Sequence, residues 1–207
     1  MSGKTTQIIA TVALLFLTLY IPLSLLIYHE STYHLNYAIN GEPKQLHKAT
    51  VTFAIADLIT YFTYTDPLDT RFWSEKERRH YADVRMIYTA LTIIAICSVF
   101  LVGLSQGNIL WRWIAITDAA LIGTGLLILS QFSWFWHQVF HPLLFSDQSW
   151  LMSPDDASYW LFPEPFFLTA IGFIVGGSFL LQLLIYGILR RNTFNREEDH
   201  KSQQRHP

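Results

Sequence analysis

Four long apolar segments dominate this sequence, at residues 8–27, 86–104, 113–132 and 166–189. A helix needs roughly 20 apolar residues to cross the hydrocarbon core of a bilayer. Open backbone cannot be satisfied in lipid, so each such segment must be helical. Charged residues make up only 14% of the chain, against about a quarter in soluble globular domains. The sequence therefore predicts an all-α integral membrane protein with four transmembrane helices.

The composition excludes several other classes of protein. A formal net charge of −2 offers no basic surface for phosphate backbones, so we predict no nucleic-acid partner. Cys97 is the one cysteine, which excludes a disulfide framework and a cysteine-rich zinc site. The first segment follows Lys4 and could be a signal peptide. Its apolar run is longer than usual for one and no small-x-small cleavage site follows, so we predict a retained anchor.

Four crossings place both termini on one side of the membrane and the loops 28–85 and 133–165 together on the other. Lysine and arginine are divided equally, seven to each side. Arg112 and the pair Arg190–Arg191 lie next to span ends and favour cytoplasmic termini. The arginines just before the second segment favour the opposite orientation. We expect both termini in the cytoplasm and both loops outside the cell.

Both loops are predicted to carry short helices at the membrane surface. Residues 49–64 interleave apolar and polar side chains over a length too short to span, which is typical of an interfacial amphipathic helix. Residues 132–150 are rich in Trp and Phe, a composition typical of the headgroup region. The polar segment 192–207 lacks apolar periodicity, and we predict a disordered cytoplasmic tail.

The most densely charged stretch, residues 74–85, leads directly into the second apolar segment. On a helix, His80 and Asp83 are three residues apart and share a face. The carboxylate could therefore orient the imidazole as a general base. The same stretch is also compatible with a solvated, charged helix cap that has no chemical role.

His141 lies in the aromatic part of the second loop, where it could serve either catalysis or simple anchoring at the interface. Because Pro142 follows, we expect His141 to end a helix. His137 and His141 have the i, i+4 spacing of zinc ligands, and His80 with Asp83 could complete a set of four. The HExxH signature is absent, and we predict no bound metal.

Asp118 lies inside the third apolar segment, where a charge costs roughly 2.5–3.5 kcal/mol on insertion scales. It is close to the predicted cytoplasmic end, so we expect it to snorkel or to pair with Arg112. A Gly-rich phosphate loop, a GxSxG elbow and a reactive cysteine are all missing from the sequence. Serine or cysteine nucleophile chemistry therefore has no recognisable carrier.

Two motifs in this order resemble those of the bacterial lipoprotein intramolecular transacylase (Lit) family, four-span proteins of Gram-positive bacteria. The first family motif ends in Glu–x–x–His–x–x–Asp–Val–basic and is matched by Glu77, His80, Asp83, Val84 and Arg85. The second is Phe–His–x–x–x–Phe ahead of a Trp, a Pro and Pro–Glu–x–Phe–Phe. It is matched by Phe140, His141, Phe145, Trp150, Pro154, Pro163, Glu164, Phe166 and Phe167. The resemblance covers most of residues 50–170 and the four-span layout.

The resemblance implies that the sn-2 acyl chain of a lipoprotein's diacylglyceryl group moves to the α-amine of its N-terminal cysteine. The product is an N-acyl, lyso-form lipoprotein. The catalytic histidines of the family match His80 and His141 and no other histidine here. The implied partners are a diacylglyceryl-modified lipoprotein and membrane lipids, and no cofactor is implied.

The span count independently places His80 and His141 on one membrane face. An α-amine has a pKa near 7.7–8.0, so a base must accept a proton during attack. We predict His80, oriented by Asp83, as this base, and His141 as donor to the departing glycerol oxygen, although the two roles could be exchanged. Arg85 is predicted to stabilise the oxyanion. Substrate-binding roles are predicted for Glu77, Phe140 and Trp150.

Two alternatives stay open on the sequence alone. A non-enzymatic membrane adaptor or channel subunit would use the same loops only to bind a partner. A metal-dependent membrane hydrolase would use the histidines as ligands. The oligomeric state and the preference for lipoprotein or acyl chain are not predicted by any pattern in the sequence.

Overall fold

The computed structural model describes residues 3–105 and 109–204, with side chains as far as residue 191. The described backbone is helical and contains no strand, which confirms the all-α prediction. The elements are α1 (Gly3–Tyr28), α2 (Glu30–Asn40), α3 (Lys48–Phe62), α4 (Glu75–Leu104), α5 (Trp111–Leu129), α6 (Phe132–Phe135), a π-turn (Trp136–Phe140), α7 (His141–Leu144), α8 (Ala157–Leu161) and α9 (Glu164–Gln204).

Four of these helices are long and apolar enough to cross a membrane: α1, α4, α5 and the part of α9 over Glu164–Arg191. Large apolar side chains such as Phe100, Leu104 and Leu127 are exposed on them, as expected for surfaces that face lipid rather than water. The chain is a multi-pass membrane protein with four apolar helices, as the hydropathy pattern predicts.

The last helix does not follow the prediction of a disordered tail. The backbone of α9 stays helical through Gln204, because the segment 192–204 contains neither Gly nor Pro and nothing in it interrupts the hydrogen-bond ladder. Low hydropathy marks the end of the apolar span and not the end of the helix. Residues 205–207 lie outside the described residues.

Helix α1 packs against α4 and α9 and is the most buried of the spanning helices; its buried side chains include Ala10, Ala13 and Leu14. Its Pro22 meets Gly177 of α9, where an added Cβ would lie 2.9 Å from the proline Cγ. A glycine at this crossing lets the two backbones approach closely, as small residues do at helix interfaces in membranes.

A polar cluster joins three spanning helices. The Gln182 Nε2 donates to Thr18 Oγ1 at 3.0 Å, to Ser178 Oγ at 3.2 Å and to Asp118 Oδ1 at 3.3 Å. Asp118 thus finds its partner on α9, and no salt bridge joins it to Arg112 among the described residues. The predicted pairing with Arg112 is wrong because an amide 64 residues away reaches the carboxylate.

Helices α2, α3 and α8 form a cap over one end of the spanning helices. The predicted surface helix at 49–64 is present as α3, and its buried face carries Ile55 and Leu58. Asn36 Nδ2 of α2 donates to Phe166 O at 2.9 Å, and the Tyr37 hydroxyl donates to Leu161 O at 2.9 Å. These bonds fix α2 to α8 and to the start of α9.

Candidate active site

The first turn of α4 is locked to the cap by the carboxylate of Glu77. Ser74 and Glu77 form a capping box, in which the Ser74 amide donates to Glu77 Oε2 at 2.8 Å. Glu77 Oε1 accepts from the Ser158 amide at 2.7 Å and from its hydroxyl at 2.6 Å. The side chain is 1% exposed. Its hydrogen bonds are internal to the fold, so the substrate-binding role predicted for Glu77 gives way to a structural one.

A second set of contacts reinforces the same junction. Asp156 forms a salt bridge with Lys76 at 2.5 Å and accepts the Ser74 hydroxyl at 3.0 Å. The Tyr81 hydroxyl lies 2.7 Å from that of Ser158. Ser74 and Lys76 precede His80 in the sequence, and Tyr81 follows it. Their bonds therefore hold this part of α4 against the cap on both sides of His80.

The segment that carries His141 is one continuous helical path from α6 through the π-turn to α7. The expectation that His141 ends a helix is wrong. In the π-turn an amide bonds the carbonyl five residues earlier, so the His141 amide donates to Trp136 O. The ring nitrogen Nδ1 of His141 also donates to this oxygen, at 2.7 Å. This wide turn absorbs Pro142, which lacks an amide hydrogen.

The carbonyl of Trp136 fixes the tautomer of His141. A carbonyl oxygen can only accept, so the His141 Nδ1 must carry the hydrogen. In the neutral imidazole, Nε2 then carries no hydrogen, and its lone pair can accept a proton. The His141 ring is thus oriented by a main-chain oxygen, which the π-turn places beside it. A side-chain substitution cannot remove this oxygen.

The two histidines that the sequence singles out meet in the structure. Their ring centroids are 6.3 Å apart, although 61 positions separate His80 from His141 along the chain. Phe145 packs against both rings, with centroids 4.7 Å from His80 and 5.6 Å from His141. Both histidines therefore lie at one end of the four-helix arrangement, as the span count requires.

Aromatic side chains enclose His141. Trp150 stacks on the imidazole at 4.5 Å with an interplanar angle of 24°, and Trp136 meets its edge at 4.6 Å. Phe140 contacts the imidazole at 5.4 Å and stacks on Trp136 at 4.6 Å. The sequence predicts Phe140 and Trp150 as site residues, but not Trp136 or Phe145. Phe145 belongs to the second family motif, whereas Trp136 is marked only by the high density of aromatic residues around His141.

Burial keeps both imidazoles uncharged. His80 precedes the apolar part of α4, and burial lowers its pKa from 6.5 to about 4; nearby His141 lowers it further and Asp147 opposes the shift. Burial also lowers the pKa of His141, against the effect of the Trp136 carbonyl. Loss of hydration disfavours the charged imidazolium. Both rings are therefore neutral at pH 7.

Asp83 and Arg85 of α4, which the sequence predicts to assist the histidines, form no hydrogen bond with them among the described residues. His80 Nδ1 is buried and has no hydrogen-bond partner in the part of the chain that is described, so Asp83 does not orient it through this atom. The Arg85 guanidinium lies over Tyr61 and Tyr64, 3.9 Å and 4.6 Å from the ring centroids. Five residues along a helix turn a side chain by about 140° from the starting direction, so Arg85 and His80 project from different faces of α4.

A metal site is not assembled by the residues that the sequence proposed for one. Among the side chains that the structure describes, in residues 3–105 and 109–191, no group of three or more His, Cys, Asp or Glu is arranged to hold a metal ion. His137 Nδ1 instead bonds Ser133 O at 2.8 Å. The i, i+4 spacing of His137 and His141 reflects the helical path and not a ligand pair.

Comparison with known proteins points to one family. The family model described as lipoprotein intramolecular transacylase Lit matches residues 8–167. A solved structure of the membrane-integral lipoprotein intramolecular transacylase Lit from Bacillus cereus has a TM-score of 0.76 with this chain, at 17% identity, over 95% of this chain and 98% of that one. Two variants of that protein, with a histidine replaced by arginine or alanine, give TM-scores of 0.71 and 0.72 at 20% and 17% identity. They cover 93% and 95% of this chain, and 94% and 96% of their own. No curated protein sequence matches.

Proposed function

Since the chain belongs to the lipoprotein intramolecular transacylase family Lit, we propose that it moves the sn-2 acyl chain of a diacylglyceryl-cysteine to the α-amine of the same cysteine. The amine nitrogen forms an amide bond with the ester carbonyl carbon, and the bond from that carbon to the glycerol oxygen breaks. The proton lost by the amine ends on the glycerol oxygen. Atoms balance within one substrate, and the reaction needs neither cofactor nor water.

The observation that carries the assignment of roles is the bond from His141 Nδ1 to the Trp136 carbonyl at 2.7 Å. It leaves Nε2 of a neutral imidazole as a proton acceptor, so we assign His141 as the base that takes the amine proton. This exchanges the roles expected from the sequence. His80 is also neutral and retains one N–H, which serves as the donor to the oxyanion or to the departing oxygen.

The aromatic surroundings support acyl transfer over hydrolysis. Trp136, Phe140, Phe145 and Trp150 cover the two imidazoles, and a covered site excludes the water that would otherwise attack the ester. Because the amine and the ester belong to the same molecule, holding them together supplies much of the rate. The protein then needs to provide only proton transfer and a folded substrate conformation.

We also assign the histidine end of the molecule to the outer face of the cell membrane, with both termini in the cytoplasm. The support is the location of Arg112, Arg190 and Arg191 next to span ends opposite the histidines, which the charge rule favours as cytoplasmic. In this orientation the site lies at the outer leaflet, where the glyceryl ester and the cysteine amine of an anchored lipoprotein are located.

The proposal is tested by expressing the His80→Ala and His141→Ala variants in a host that makes diacylglyceryl lipoproteins. Each should lower N-acylation by about 10²–10⁴-fold, the usual contribution of an acid–base group. The measurement is mass spectrometry of the N-terminal lipopeptide. His47→Ala, which removes an exposed histidine of the cap, is the matched control. Full N-acylation by both site variants would refute the assignment and favour a role in binding alone.

A further inference from the structure

Helix α5 is packed against the other spanning helices at one end and uncovered at the other. Near its start, the Trp111 ring meets that of Tyr186 of α9 at 5.1 Å, and Asp118 accepts a bond from Gln182 of α9 at 3.3 Å. Nine of the eleven residues that follow, 119–129, are exposed. This half of α5, here called the distal half, is the one nearer the histidines along the chain.

The inward face of α5 can be followed along the helix by its periodicity. Ile114, which is 3% exposed, and Asp118 lie on this face. Gly125 is rotated by only about 20° from Ile114, whereas Gly123 is rotated by about 180°. Gly125 and Ile128 are also the two residues of the distal half that are partly covered. Gly125 therefore lies on the inward face, and Gly123 lies on the face that points to lipid.

The inward face has open space in front of it at Gly125. A Cβ added to this glycine would meet no atom of the described residues within 4 Å. At Gly177 of α9, where two helices do pack, an added Cβ would lie 2.9 Å from Pro22. Helices in contact have axes only about 8–10 Å apart and leave no such space. Between Asp118 and Gly125, α5 thus parts from the helices that it contacts near its start.

The resulting opening ends at the segment that carries His141. Phe132, just after α5, is 4% exposed and stacks on Trp136 at 5.4 Å, and Trp136 contacts the His141 imidazole at 4.6 Å. The distal half is roughly 16 Å long, which is about half of a hydrocarbon core that is about 30 Å thick. The opening therefore passes through one leaflet and leads to the histidines.

The lipid part of the proposed substrate fits this opening. Its ester must reach the imidazoles, while its acyl chains stay in the bilayer because their transfer to water is unfavourable. The inward face offers Leu121, Gly125 and Ile128 to such a chain, and the glycine leaves room for it. We propose that the diacylglyceryl group enters sideways through this opening and that an acyl chain lies along the inward face of α5 during the reaction. This inference rests on the proposed function and adds to it the route and the binding place of the lipid.

The test compares Gly125→Trp, which fills the opening, with Gly123→Trp, which adds the same ring on the lipid side. The full-length protein in micelles is given diacylglyceryl-cysteine amide with either two palmitoyl or two butanoyl chains. Gly125→Trp should raise the KM for the palmitoyl substrate by about five- to hundredfold, the range for overpacking an occupied space. The KM for the butanoyl substrate should not change, because its chains end close to the ester. Gly123→Trp and Gly125→Ala, whose methyl group meets open space, should keep both KM values.

Each other result has a definite meaning. Unchanged KM values in Gly125→Trp, or an equal rise in Gly125→Trp and Gly123→Trp, would overturn the inference. A loss of activity that is equal for both chain lengths would show that α5 only supports the histidine segment, and would overturn it too. So would a wild-type dimer that Gly125→Trp converts to a monomer, since a second copy of the chain would then cover this face. Failure of the wild type to convert either substrate would instead refute the proposed function.

Discussion

The buried imidazole of His80 makes the stability of the protein depend on pH. In the unfolded chain its pKa is the ordinary 6.5, and in the folded protein it is about 4. Below pH 6.5 the unfolded state therefore binds a proton that the folded state does not. The free energy of unfolding falls as pH decreases through this window, by about 2 kcal/mol at pH 5 and about 3 kcal/mol once pH reaches 4. Above pH 7 the effect is absent.

Replacing His80 with leucine removes this proton linkage and keeps a side chain of similar size against Phe145. The free energy of unfolding is measured at pH 7.5 and pH 5 by reversible unfolding in mixed micelles. The wild type should lose about 2 kcal/mol more than His80→Leu between these two values. His47→Gln, at an exposed cap position, should match the wild type. Identical pH dependence in the wild type and His80→Leu would show that His80 is hydrated in the folded protein and would refute the argument.

Three further predictions follow from named contacts. Gly177→Ala should lower the free energy of unfolding by about 1–3 kcal/mol through overpacking against Pro22. Gly176→Ala, whose added methyl group meets open space, should not lower it. Unfolding titrations of the two variants test this difference. Glu77→Gln should lower the free energy of unfolding by about 1–3 kcal/mol, because an amide N–H₂ replaces one of the two acceptor oxygens. The folded fraction should keep its kcat. A loss of kcat without destabilisation would contradict this prediction. Trp150→Ala should lower kcat/KM about two- to tenfold through loss of its stack on the imidazole, with rescue by Trp150→Phe; an unchanged value would exclude positioning by this ring.

The parts of the fold that the sequence predicts are those that depend on local hydropathy. Each span is recognisable because about twenty apolar residues in a row have few other possible structures. Counting the spans then gives a long-range result without any packing information, since it fixes which loops share a side. The meeting of His80 and His141 at 6.3 Å follows from this count and from the shared cap.

The parts that the sequence does not predict depend on side-chain direction and on partners distant in the chain. Asp83 and His80 share a helix face by spacing, yet His80 Nδ1 has no partner among the described residues. Glu77 is a cap of α4 because Ser158, 81 residues later, brings its amide and hydroxyl to the carboxylate. The π-turn that orients His141 has no sequence signature beyond the proline that follows it.

Burial keeps His80 neutral against the opposing charge of Asp147, and no carboxylate hydrogen-bonds to its ring among the described residues. Glu77 lies one helical turn from His80, but its oxygens are occupied by Ser74 and Ser158. A free carboxylate against the ring would stabilise the imidazolium and raise the pKa of His80, which would place a charged pair beside Phe145. Committing Glu77 to the cap therefore serves two ends. It fixes α4 against the cap, and it leaves a neutral, weakly hydrated imidazole whose Nδ1 has no partner among the described residues, as the proposed role of His80 toward the substrate requires.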